Sequence, residues 1–250
     1  MAELEYLSRI TEIIAKIQET QTDNIQNAAE AFAKSIQSGG RVYMFGSGHS
    51  VIPVMDIFPR YGSFVGFYPI YDPRLMWSNV VGPGGARELL WLEQREGYAK
   101  IVLSSYKLKL ADSILVYSHG GLNAAPIEMA MEAKKSGATV VTVSSLANYK
   151  HAAAKHSSGK KLSDVADVAI DNCVPLEDAL VAGDGIPEKF AAGSTVAGVS
   201  IAMTLVSEVG KRLLKAGIRP QTFVSPNVGL SPDHNDQVYA EFIRNYFHLA

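Results

Sequence analysis

Cysteine is almost absent: Cys173 is the only one in 250 residues. That excludes a disulfide framework and any zinc site built on thiolates, and it fits a reducing compartment. Charge of one sign is also missing. With 23 Lys and Arg against 25 Asp and Glu, the formal net charge is −2, which gives no electrostatic case for nucleic acid. No apolar run approaches the ~18 residues of a membrane span. The N-terminus, "MAELEYLSRI", has two early glutamates and neither the basic nor the apolar region of a signal peptide. There is no low-complexity linker and no internal repeat. These absences leave a water-soluble protein, expected in the cytoplasm, with no nucleic-acid or membrane partner.

What is present is apolar material in short, punctuated runs; 47% of residues are hydrophobic. Leu4, Leu7, Ile10, Ile13, Ile14 and Ile17 recur at helical spacing. A second helix is predicted from about Asp23 to the stop at Gly39-Gly40. After residue 40 the pattern changes. "RVYMFG" (41–46), "FVGFYPIY" (64–71), "SILVYS" (113–118), "ATVVTVSS" (138–145) and "VADVAID" (165–171) read as strands. "GGARELLWLEQREG" (84–97), "AAPIEMAMEAKKSG" (124–137), 194–216 and 236–248 read as helices, while 98–108 fits either helix or strand. Strands alternating with helices predict an α/β fold, a mainly parallel sheet covered on both faces. Residues 1–40 form a helical extension to a unit spanning 41–250. The apolar stripe of that extension needs cover, expected from a second subunit, hence a homo-oligomer.

Two predicted strands end alike. "FGSGHS" (45–50) and "YSHGGLNAAPIE" (117–128) run from a buried strand through small hydroxyl-bearing residues into a helix. Backbone N–H groups at a helix start are unpaired and favour an anion, and glycine lets the chain come close. In an open α/β sheet, ligands gather at the carboxyl ends of the strands. Two such loops point to one phosphate between them. A dinucleotide fingerprint competes, with Asp72 as the ribose acid, but Val51 stands where its third glycine belongs. No Gly-Lys-Ser/Thr follows, so this is not a P-loop.

Together, "FGSGHS", "YSHGGLNAAPIE" and "SGATVVTVSS" resemble the SIS (sugar isomerase) domain. The resemblance spans about residues 23–216. It implies a three-layer α-β-α sandwich of flavodoxin-like topology that binds a phosphorylated sugar or amino sugar without a cofactor or metal. Ser47, Gly48, His49 and Ser50 then form the first phosphate loop, and Ser118, His119, Gly120, Gly121 and Asn123 the second. Gly120 stands where that family usually has serine and Asn123 where it has threonine. "GGARELLWLEQREG" and "GSTVAG" (193–198) are similar to N-acetylmuramic acid 6-phosphate etherases, which adds Ser194 and Thr195 at a third helix start. Three readings follow: an aldose–ketose isomerase working through an enediol, an etherase-like lyase, or a phosphosugar sensor without turnover.

Isomerisation needs a proton-transfer group. The candidates are Glu88 and Glu128, each near a helix start, and His234 in the irregular "SPNVGLSPDHND". Glu93 and Glu96 are expected to be solvated. His151 and His156 are five apart, not the three or four of a metal pair on one helix face, and are expected in a solvated basic segment. Cys173 is expected as a small buried hydrophobe.

Overall fold

The structure is a computed structural model and describes residues 4–76, 81–229 and 231–247. Its elements run α1 (Glu5–Gln37), β1 (Val42–Gly46), α2 (Val51–Ile57), β2 (Phe67–Pro69), α3 (Gly85–Glu93), α4 (Tyr98–Leu103), β3 (Ser113–Tyr117), α5 (Ala124–Lys135) and β4 (Thr139–Ser144). They continue with α6 (Leu146–His151), α7 (Leu162–Val165), β5 (Val168–Asp171), β6 (Ala179–Ala182), β7 (Lys189–Ala192), α8 (Ser194–Lys215) and α9 (His234–Tyr246). The main sheet has five parallel strands in the order β2-β1-β3-β4-β5, the flavodoxin-like order. Every residue of β1 and β3 is buried, as expected where helices cover both faces. α1 lies on β1, β3 and β5 with α8 packed along it; α5 lies on β3 and β4 with α4 and α7 beside it.

The register brings the two small-residue loops together. β1 pairs directly with β3, Gly46 opposite Tyr117, so the segments after them leave neighbouring strands on the same sheet edge. Gly46 is required there, because a Cβ would stand 2.1 Å from the Ser50 carbonyl oxygen. Gly48 has φ +58, the left-handed region glycine enters without strain. Its N–H donates to Leu75 O at 2.7 Å.

Two expectations change. The N-terminal region is one continuous 33-residue helix, not two; the polar stretch "QETQTDN" between the apolar runs contains no Gly or Pro to end it. Its stripe is also divided. Ile10, Ile13 and Ile17 are buried against the body of the same chain, while Leu4, Leu7 and Ile14 are 68%, 56% and 39% exposed. Segment 98–108 resolves as a helix over Tyr98–Leu103. The predicted 236–248 helix runs from His234 to Tyr246, and residue 248 lies outside the described residues. The antiparallel hairpin β6–β7 was not foreseen.

Candidate functional site

At the carboxyl ends of β1, β3, β4 and β5 lies a narrow, half-open cleft with a volume of about 20 Å³. His49 and Ser50 from the β1–α2 turn and Pro53 from the first turn of α2 line one side. Tyr117, Ser118, His119, Val143 and Asn172 form the strand side, and Ser194, Thr195 and Gly198 close it from the first turns of α8. Six sequence-predicted residues therefore meet here: His49, Ser50, Ser118, His119, Ser194 and Thr195. No Asp, Glu, Lys or Arg is among the lining residues, so the cleft offers hydroxyls, amides and imidazoles rather than charge.

Each lining group is positioned by the local chain. Ser50 precedes α2 without spending its side chain on a cap. Ser118 Oγ accepts from Gly121 N–H at 3.2 Å, and its own O–H can still donate. The His119 ring is held by one amide, with Nδ1 3.1 Å from Asn172 Nδ2, while Asn148 Nδ2, 3.2 Å from Nε2, donates to Leu176 O at 3.3 Å. Val174 N–H donates to Asn172 Oδ1 at 3.0 Å. That turns Asn172 Nδ2 toward the ring and assigns Nδ1 as acceptor, leaving the ring proton to Nε2. Backbone bonds fix the loop itself, from Ser145 N–H to His119 O and from Leu162 N–H to Gly121 O, both 2.9 Å.

The α8 terminus differs from the expected open anion site. Asp178, at φ +64, accepts from Gly193 N–H at 3.1 Å and from Ser194 N–H and Ser194 Oγ–H at 2.7 Å each. A carboxylate of the chain itself already satisfies the orphan donors and the helix dipole there. Ser194 and Thr195 thus border the cleft without offering the free donors a phosphate would need from Ser194.

Other predicted loop residues sit behind the cleft rather than on it: Ser47, Gly48, Gly120, Gly121 and Asn123 are not among its lining residues. Ser47 and Asn123 are joined through Glu93. Ser47 Oγ–H donates to Glu93 Oε2 and Asn123 Nδ2 to Glu93 Oε1, both at 2.5 Å. Glu93 was expected in solvent but is only 7% exposed. It faces inward from the last turn of α3 and clasps the two loops. Burial pushes its pKa up, against the lowering effect of the two hydrogen bonds.

The three proton-transfer candidates lie away from the cleft. Glu88 is exposed in the first turn of α3. His234 opens α9 with Nε2 2.9 Å from Thr222 O, so it anchors a backbone carbonyl. Glu128 Oε1 accepts from Gly97 N–H at 2.6 Å and faces His156 at 3.6 Å.

That histidine corrects another expectation. His156 is 9% exposed, not solvated, and Glu96 Oε2 stands 3.9 Å from its Nε2. Glu96 accepts from Ser157 N–H and Ser157 Oγ–H, which hold its carboxyl below the usual range. The three side chains converge closely enough to suggest a metal site. However, Ser158 N–H donates to His156 Nδ1 at 3.1 Å, which puts the proton of the neutral ring on Nε2. The imidazole then turns an N–H, not a lone pair, toward the two carboxylates, 3.6 and 3.9 Å away and beyond hydrogen-bond distance.

Sequence reasoning missed Tyr117, Asn172 and Glu93. The first two had a usable signal, since they end or follow strands at the edge where ligands gather. Cys173 is buried as expected, and burial raises its thiol pKa.

Comparison with known proteins agrees with this architecture. Residues 5–145 match the SIS domain. A UPF0309 protein of Thermoanaerobacter pseudethanolicus is 32% identical over 250 residues, covering 98% of this chain and 99% of its own. A second, from Oceanobacillus iheyensis, is 33% identical over 238 residues, 95% of each chain. The chain belongs to the SIS domain family and, within it, to the UPF0309 proteins. Among solved structures, phosphoheptose isomerases from Francisella tularensis and Neisseria gonorrhoeae superimpose with TM-scores of 0.52 and 0.51. Each covers 82% of this chain and 95% of its own, at 15% and 12% identity, so the likeness is one of fold. No helix among the described residues is long and apolar enough to cross a membrane.

Proposed function

We propose that this protein binds a phosphorylated sugar or amino sugar in the cleft between the β1 and β3 loops and the start of α8. The observation that carries the reading is the convergence of Ser50 and Ser118, from neighbouring parallel strands, on one uncharged cleft rich in hydroxyls and amides. Membership of the SIS family and the fold shared with phosphoheptose isomerases support it. The phosphate is held by neutral donors rather than by cations, as at other helix-terminal anion sites.

The chemistry we propose is aldose–ketose isomerisation through an enediol. The acid–base work falls to the imidazoles that line the cleft, His49 and His119, because Glu88, Glu128 and His234 stand outside it. Imidazole titrates near working pH, as a proton shuttle between adjacent carbons requires. Sensing without turnover is the second reading, favoured by the lack of any carboxylate among the lining residues and by the Asn172 amide that holds His119 Nδ1. Incubation of sugar phosphates in deuterated water, followed by NMR, separates the two. An isomerase incorporates deuterium next to the carbonyl, and replacing the working histidine lowers the rate by about 10²–10⁴-fold. Binding without exchange or product would leave the sensor. Release of lactate from N-acetylmuramic acid 6-phosphate would instead establish the etherase.

A further inference from the structure

Tyr117 is the last residue of β3 and the one immediately before Ser118. It is 3% exposed, and its hydroxyl is fully buried with no hydrogen-bond partner among the described residues. Buried tyrosine hydroxyls ordinarily find a partner, because an unpaired one destabilises the fold. The other polar groups on the strand side are engaged: Asn172 with Val174 and His119, His119 with Asn172, and Ser118 with Gly121 N–H. Tyr117 alone on that side has a polar atom fully buried and committed to nothing, on the wall of the cleft. Burial raises the phenol pKa far above its usual value, so it remains a neutral O–H donor at any working pH.

The position also separates Tyr117 from the phosphate groups. Ser50 and Ser118 belong to the turns beyond the strand ends, whereas Tyr117 is still in the sheet, opposite Gly46 on one side and Val143 on the other. A ligand whose phosphate lies in the turns reaches Tyr117 with its carbon skeleton. We propose that the Tyr117 hydroxyl donates a hydrogen bond to an oxygen of that skeleton, so that Tyr117 reads the sugar while Ser50 and Ser118 hold the phosphate. This rests on the phosphosugar reading of the cleft.

The test is Tyr117→Phe, which removes one oxygen and keeps the ring. Wild type and variant are titrated calorimetrically with fructose 6-phosphate, glucosamine 6-phosphate, ribose 5-phosphate and inorganic phosphate. At least one sugar phosphate should bind the wild type more tightly than inorganic phosphate does. The variant should bind that sugar phosphate about 2- to 12-fold more weakly, the scale of one neutral hydrogen bond, and bind inorganic phosphate unchanged. Without ligand it should melt at or above the wild-type temperature, because the deleted hydroxyl has no partner to lose. Unchanged sugar-phosphate affinity overturns the assignment. So does an equal loss for inorganic phosphate, which would move Tyr117 to the phosphate. A lower melting temperature would reveal a structural partner and overturn it too. If no probe binds the wild type, the phosphosugar reading itself falls and takes this assignment with it.

Discussion

Glu93 joins the two ligand loops, and removing it should be costly in a way its sequence context does not suggest. In Glu93→Ala, Ser47 Oγ and Asn123 Nδ2 lose their shared acceptor, each bond being 2.5 Å long in the native protein. A hydrogen bond to a charged group contributes about 1.5–3 kcal/mol. Against this stands the relief of an ionised carboxylate only 7% exposed, so the net loss should be about 2–5 kcal/mol. For a chain of this size that is a fall in melting temperature of roughly 4–20 °C. Glu93→Gln should behave differently. The amide accepts from Asn123 and donates to Ser47, so both bonds survive without the buried charge. Because burial raises the folded-state pKa of Glu93, the folded protein binds that proton more tightly than the unfolded chain. The stabilisation is therefore complete below the unfolded value of about 4.3 and is lost as pH rises through the higher folded value. Thermal melts from pH 4 to 8 should show Glu93→Gln at least as stable as wild type at neutral pH, with the difference closing toward pH 4. Glu93→Ala within about 1 kcal/mol of wild type at pH 7, or a Glu93→Gln advantage that grows toward acid, would refute the clasp.

Three other outcomes follow from the packing. Asp178→Ala frees the N–H and Oγ–H of Ser194 at the start of α8, Gly193 N–H keeping the backbone carbonyl of residue 178, and should cost about 0.5–2 kcal/mol of stability by chemical denaturation; no change would mean that the terminus is capped from elsewhere. Phe32→Ala empties a fully buried site on α1 beside Phe67, 6.5 Å between ring centroids, and should cost about 3–5 kcal/mol, which would confirm that α1 is integral to the core. The exposed edge of Leu4, Leu7 and Ile14 is predicted to lie in a homo-oligomer interface; sedimentation should show an assembly at micromolar concentration that Leu7→Glu weakens, and a wild-type monomer would contradict it.

The central strands were legible because β1, β3 and β4 are buried on both faces and so read as unbroken apolar runs bounded by small residues. The hairpin was not, because β6 is only partly buried and every residue of β7 is exposed; neither alternation nor a continuous run marks such strands. The phosphate loops stood out because strand, small residues and helix follow one another in sequence. What sequence could not give was the direction of individual side chains. Ser47 and Ser50 are three residues apart in the same turn, yet one hydroxyl turns back to Glu93 and the other lines the cleft. Glu93 ends α3 and Glu96 lies three residues beyond it, yet Glu93 is buried on Asn123, 30 positions later in the chain, while Glu96 stays exposed as expected. Asp178 reaches the α8 terminus from fifteen residues upstream in a left-handed conformation, which no capping pattern predicts.

The most direct measurement is calorimetric titration with a sugar phosphate and the corresponding free sugar, on wild type and on Ser118→Ala. The cleft should bind the phosphorylated compound far more tightly than the free sugar. Ser118→Ala removes one hydrogen bond to a charged group, about 1.5–3 kcal/mol or roughly 10- to 150-fold in affinity. Equal affinity for both compounds, or a dissociation constant unchanged by Ser118→Ala, would contradict a phosphate held between the β1 and β3 loops.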